Sequence, residues 1–256
     1  MRVTKAHVQV YKSIDDSGPV PIDPKVTVIV GQNESGKTAF LEAMHKTRSV
    51  DKGVEFDVTE DYPRKALNRY RKEHEERPAT VSTITFALSA KDAKMLNAEL
   101  DVALVQEGFT YTRAFKYGGG STISFDLPEK DYIKHLLKGV ELPSGVANRA
   151  AAASSVRQLI TVLKDADLNE EAAKFRDQLN AQFGKAPANW HNVLAWWAWN
   201  ELIVEPKFMY FDDYKLLPGK VNLADLQRRK NQDKLDDEHK TALALLRMAE
   251  STWMIS

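Results

Sequence analysis

The sequence predicts an α/β fold: a β-rich lobe over residues 1–128 built around a glycine-containing loop, a helical segment over 129–204, and a return strand with a charged helix over 205–256. Three observations carry it. Apolar residues alternate with polar ones in several stretches of the first half, the period of a half-buried strand. The octapeptide Gly31-Gln32-Asn33-Glu34-Ser35-Gly36-Lys37-Thr38 reads G-x-x-x-x-G-K-T. From about residue 129 the apolar spacing changes to threes and fours, the helical period.

In chain order, Val3, Ala6, Val8 and Val10 alternate with polar residues and predict a strand over 2–11. Asp15-Asp16-Ser17-Gly18-Pro19 predicts a turn, and Val20 and Ile22 a short second strand before Pro24. Val26-Thr27-Val28-Ile29-Val30 is wholly β-branched and predicts a buried strand. The glycine loop follows, then a helix over 38–46 with Phe40, Leu41 and Met44 on one face. Strand, glycine loop and helix N-terminus together form an anion site. The glycines let the backbone turn close to the anion, the amides cradle it, and the helix dipole adds to the attraction. Lys37 is placed to neutralise β/γ-phosphate charge, and the Thr38 hydroxyl to hold Mg²⁺. The whole segment Gly31, Gln32, Asn33, Glu34, Ser35, Gly36, Lys37 and Thr38 is therefore the candidate site for ATP.

Residues 49–78 are polar. Arg64, Lys65, Arg69, Arg71 and Lys72, followed by Glu73, Glu75 and Glu76, read better as a solvated helix of both signs than as a nucleic-acid contact. Residues 80–88 alternate as a strand, and 90–100 carry helical spacing. Phe109–Phe115 and Ser121–Phe125 flank Tyr117-Gly118-Gly119-Gly120, the pattern of a hairpin; no Lys-Ser/Thr pair or helix start makes these glycines a second phosphate loop. Residues 150–183 are good helix formers with few breakers. The tryptophans at 190, 196, 197 and 199 read as helix packing before a stacking platform for bases. Residues 222–250 predict one charge-rich helix with a sparse leucine stripe, a pattern able to begin a coiled coil.

Pro206 ends the helical segment, and Lys207-Phe208-Met209-Tyr210-Phe211-Asp212-Asp213-Tyr214 follows. Four apolar residues before two acids resemble a Walker B strand, in which Asp212 would hold Mg²⁺ through water and Asp213 would orient the attacking water. The competing reading, favoured by Leu216-Leu217-Pro218-Gly219, is a core strand ending in a solvated turn.

Composition narrows the classes. Lys+Arg and Asp+Glu both number 36, so no global charge attracts nucleic acid. There is no cysteine, hence no disulfide and no thiolate metal site; the six histidines are scattered without ligand spacing. No apolar run reaches the ~18 residues of a membrane span, and no signal core opens the chain, so a cytoplasmic protein is expected. No Asn-Lys-x-Asp motif supports a GTPase.

The stretch V-T-V-I-V-G-Q-N-E-S-G-K-T-A-F-L-E-A-M, reached after a strand and an acid-Gly turn, resembles the N-terminal lobe of RecF/SMC-like (ABC-head-like) P-loop NTPases. Within that group it is similar to the AAA domains of OLD-family and Gabija-type nucleases and related bacterial ATP-binding proteins. The likeness is strongest over residues 1–45, weaker over 80–126 and 206–225, and silent across 130–200. It implies a mixed sheet, ATP and Mg²⁺ as ligands, a DNA-processing role through a full assembly, and an ATPase site shared with a second half or protomer. It also implies that Asp212 and Asp213 are not the Walker B acids. The family's Leu-Ser-Gly-Gly-like signature, Asp-Glu strand and switch histidine find no match here; Leu142-Pro143-Ser144-Gly145 is the nearest approach. The expectation is an ATP-binding lobe, part of a longer protein or split system, incomplete for hydrolysis alone. The alternatives are a self-sufficient ATPase using Asp212 and Asp213, and a non-enzymatic module with a vestigial loop.

Overall fold

The computed structural model describes the chain except residues 52, 75, 212–219, 233, 237, 244 and 247–256. A five-stranded open antiparallel sheet has the order β2-β1-β3-β4-β5, with β1 at Arg2–Tyr11, β2 at Ile14–Pro21, β3 at Thr80–Ala87, β4 at Thr110–Lys116 and β5 at Ser121–Ser124. β1 and β2 are antiparallel, closed by a tight turn at Lys12 and Ser13 with Tyr11 opposite Ile14. The glycine turn expected between β4 and β5 is present: the Lys116 amide donates to Gly120 O (2.8 Å), and Gly118 and Gly119 adopt φ of 74° and 80°.

The helices are α1 (Lys37–Thr47), α2 (Val58–Asp61), α3 (Leu67–Glu73), α4 (Ala90–Glu99), α5 (Glu129–Leu136), α6 (Ser144–Ala151), α7 (Val156–Lys164), α8 (Glu170–Phe183), α9 (Val193–Glu201) and α10 (Leu223–Asn231). Their starts are chemically marked. The side chains of Ser89, Ser155, Asn169, Asn192 and Asn222 each accept an amide of the first turn of α4, α7, α8, α9 and α10. Such caps satisfy donors that the helix itself cannot.

The chain groups into two compact units of interleaved segments. The first comprises 1–4, 85–113 and 123–205. Here α7 packs on α6, α8 and α9, and its Leu159 and Leu163 are fully buried. Phe183 meets Tyr132 and Trp197 edge-on, with centroids 5.9 and 5.8 Å away. Trp190 lies 5.9 Å from Trp199. Two buried carboxylates organise this unit. Glu205 accepts from Arg113 Nη1 (2.6 Å), Tyr111 Oη (3.0 Å) and Trp199 Nε1 (3.4 Å). Glu129 accepts the Val193 and Leu194 amides (3.1 and 3.2 Å) at the start of α9.

The second unit comprises 5–84, 114–122 and 206–256. Its core is aromatic: Tyr62 lies 4.7 Å from Tyr70 and 5.6 Å from Tyr117, and Phe56 touches Tyr11 and Tyr117. Buried Asp61 pairs with Lys46 (2.7 Å) and tethers α1 to α2. Thr47 and Ser82 hydroxyls bond at 2.6 Å inside the unit.

Several expectations are corrected. Val26–Val30 is neither buried nor in the sheet: Val26, Val28 and Val30 are 70, 74 and 84 % exposed, and no described strand lies beside them. β-branched residues favour a strand, but a strand also needs a neighbour. Without 26–30 the sheet is antiparallel rather than mixed. Residues 15–19 are part of β2, not a turn. A register irregularity opposite His7–Gln9 absorbs Ser17 and Gly18, and the Val8 amide bonds the Ser17 hydroxyl (3.0 Å) in place of a main-chain acceptor. The helical stretch 150–183 is broken at Ala153–Ser155 and again at Asp165–Asn169, where Ser155 and Asn169 act as caps. The helix expected over 222–250 stops at Asn231 and restarts at about 238 among the described residues.

Removing the Glu205 carboxylate takes a buried shared acceptor from Arg113, Tyr111 and Trp199, so Glu205→Ala should lower unfolding stability by about 3 kcal/mol in urea; a change under about 1 kcal/mol would show that the cluster is not structural. Burial raises the Glu129 pKa above its ordinary 4.5, against the lowering effect of the helix amides. A carboxyl raised on folding favours the native state fully below the unfolded pKa and loses that contribution as pH rises through the folded one. Wild type should therefore lose stability relative to Glu129→Gln as pH climbs from about 4 towards neutrality, read by thermal melts of both proteins; parallel curves would contradict this.

Candidate phosphate-binding site

The loop Gly31–Gly36 runs straight into α1, whose first residue is Lys37. The left-handed Gly36 (φ 88°) serves as N-cap, with no side chain capping the helix and no acidic residue in its first turn. The first amides of α1 are thus left for an outside acceptor, at the positive end of the helix dipole. Glu34 is also left-handed at φ 63°. Positive φ favours glycine at 36, and a side chain at either glycine would crowd a neighbour. A Cβ on Gly36 would lie 3.1 Å from Ile14 Cγ1, and one on Gly31 would lie 2.7 Å from Ser35 Oγ. A concavity that any side chain would fill suits an anion bound by main chain.

Lys37 turns back into this loop. Its ammonium donates to the carbonyls of Gly31 (2.8 Å) and Gln32 (2.5 Å) and approaches Ser35 Oγ at 3.5 Å. The cation therefore sits inside the curve of the loop, where a phosphate oxygen could replace a carbonyl as its partner. Thr38, the next residue, is exposed.

A cleft of about 480 Å³ opens above Lys37 and Gly36. Its far wall is the β1–β2 turn with Ser13, Ile14, Asp15 and Asp16, and Val30 and Phe40 complete an apolar side. The turn is held by unusual backbone: Val10 and Lys12 have φ of 45° and 49°, a costly region for a β-branched residue. The Tyr117 hydroxyl donates to Val10 O (2.7 Å) and the Lys12 amide to Asp61 O (2.6 Å), which offsets that cost. The Gly18 amide, and then His7, hold the Asp16 carboxyl below its ordinary range. Asp15 pairs with Lys65 (2.7 Å), both well exposed, so one residue of the basic run faces an acid rather than free solvent.

Gly31 through Thr38 form a continuous loop leading into the first turn of α1. Asp212 and Asp213 lie outside the described residues. The segment leading to them is half-buried rather than core, and is fixed by one parallel bridge, Ser49 to Phe208. Among the described residues no group of three His, Asp or Glu side chains is placed to hold a metal ion. Mg²⁺ commonly keeps several waters and takes few protein oxygens beside phosphate, so a single hydroxyl such as that of Thr38 fits it. Sequence reasoning missed Ser13 and Ile14. Their role is a long-range contact onto Gly36, for which the local sequence carries no signal. No helix among the described residues is long and apolar enough to cross a membrane. No protein-family model and no curated protein sequence matches the chain.

If ATP binds at this loop, Gly36→Ala, which forces a side chain into a left-handed position against Ile14, should weaken that binding about tenfold or more while moving stability by about 1–2 kcal/mol. Isothermal titration beside a urea melt checks it. Unchanged affinity would mean that the loop does not close on the ligand.

Proposed function

We propose that this chain is a cytoplasmic ATP-binding lobe of a RecF/OLD-like P-loop ATPase, acting in DNA processing, repair or phage defence through an assembly that completes the hydrolytic site. The observation that carries the reading is Lys37: its ammonium is folded into the Gly31–Gly36 loop, under a 480 Å³ cleft, at an uncapped helix start.

The roles follow from this chemistry. Amides from Asn33 to Thr38 cradle the β-phosphate, and Lys37 exchanges its carbonyl partners for β/γ oxygens. Thr38 would hold Mg²⁺, which when bound would offset phosphate charge. The remaining cleft, walled by Ile14, Val30 and Phe40, takes the nucleoside. Phosphoryl transfer depends on positioning and electrostatics, so these groups suffice to bind ATP without supplying an oriented water. The signature residues and the acid that orients water come, in this reading, from a second ATPase half or another protomer, and DNA is met through that assembly.

An equilibrium titration with Mg·ATP tests this. Lys37→Ala removes a charge-assisted contact and should weaken binding about 10- to 100-fold, while the chain alone shows no sustained turnover. Equal affinity in Lys37→Ala would reject the site, and turnover by the isolated chain that Lys37→Ala abolishes would reject its incompleteness.

A further inference from the structure

We propose that Asp61 is a positioning residue: it sets the spacing between the two walls of the cleft and, through that spacing, the affinity for nucleotide. The effect on affinity rests on the nucleotide reading; the effect on spacing does not. The walls come from separate parts of the chain, the β1–β2 turn and the start of α1. They meet directly at Ile14 and Gly36, an apolar contact without direction. A second direct tie, the ion pair of Lys12 with Glu42 on α1, has side chains 40 and 31 % exposed, and pairs so open to water contribute little.

Asp61 grips both walls from behind. Its carbonyl accepts the Lys12 amide (2.6 Å) at a left-handed residue of the turn. Its carboxylate accepts the Lys46 ammonium of α1 through both oxygens (2.9 and 2.7 Å). The Asp61 side chain is only 1 % exposed, and its Oδ2 also accepts the Asp57 amide (2.9 Å), which closes the single turn of α2 around the carboxylate. A buried ion pair repays little more than its own desolvation, and an apolar pair of the same shape would serve stability as well. What this one adds is a fixed placement of α1 relative to the turn. Lys46 and Lys37 stand about 13 Å apart along the same helix, so a small tilt at Lys46 shifts Gly36 and Lys37 against Ile14.

Asp61→Asn separates position from charge by sign. Removal of a negative charge close to the loop strengthens binding of a polyanion, whereas loosened walls weaken it. The test is amide NMR of the labelled chain without nucleotide, then a Mg·ATP titration of the same samples, with Glu205→Ala as a control that destabilises the other unit. Asp61→Asn should shift or broaden the amides of Asp15 to Ser17 and Gly36 to Thr38, and should weaken ATP binding about fivefold. Glu205→Ala should do neither. Unmoved signals at the two walls, equal or tighter ATP binding in Asp61→Asn, or the same changes in Glu205→Ala would each overturn the proposal. If the wild-type chain binds no ATP, the nucleotide reading falls, and the nucleotide-free signals alone decide whether Asp61 sets the spacing. Should Asp61→Asn fail to fold, Lys46→Gln, which loses the charge and keeps a donor, is read for the same wall signals.

Discussion

The contact between Gly36 and the β1–β2 turn governs the rest of the site. Gly36 is left-handed, and a Cβ there would press on Ile14 Cγ1 at 3.1 Å. This close approach reverses the chain out of the loop and into α1. It thereby turns Lys37 inward and leaves the first amides of the helix uncapped. The turn is itself anchored from behind. The Tyr117 hydroxyl and Asp61 carbonyl hold two left-handed residues on either side of Tyr11, within an aromatic core that also contains Tyr62, Tyr70 and Phe56. Strained backbone at a cleft, over-determined by its surroundings, is the physical form of a preorganised site.

Charge is distributed across the cleft with similar economy. The single cation within the loop is Lys37, and the opposite wall carries Asp15 and Asp16. Asp16 is kept ionised by the Gly18 amide and His7, and Asp15 is paired with Lys65. In the proposed reading this charge pattern would favour a polyanion at the loop over the hairpin.

Much of this was legible in the sequence. The octapeptide, the helix behind it, the alternation of β1 and β3 and the Gly118–Gly120 turn all depend on neighbours within a few residues, and all are present. What the sequence did not reveal depends on partners far along the chain. Residues 15–19 have the composition of a turn, yet pairing with β1 and the Ser17 hydroxyl bond draw them into a strand. Val26–Val30 has the composition of a buried strand, yet nothing described pairs with it. The breaks within 150–183 were hidden because Ser155 and Asn169 read as ordinary polar residues until their caps are seen. The fit of Ile14 against Gly36 is invisible to local pattern altogether.

The most direct measurement is an amide-resolved NMR titration of the isotope-labelled chain with Mg·ATP. If Gly31–Thr38 is a phosphate cradle, the largest shifts fall at the amides of Asn33 to Thr38, with Gly36 and Lys37 moving downfield, and a second set appears at Ser13 to Ser17. Shifts of similar size scattered over the chain, or none at Gly36 and Lys37 at saturating nucleotide, would contradict the assignment of this loop as the nucleotide site.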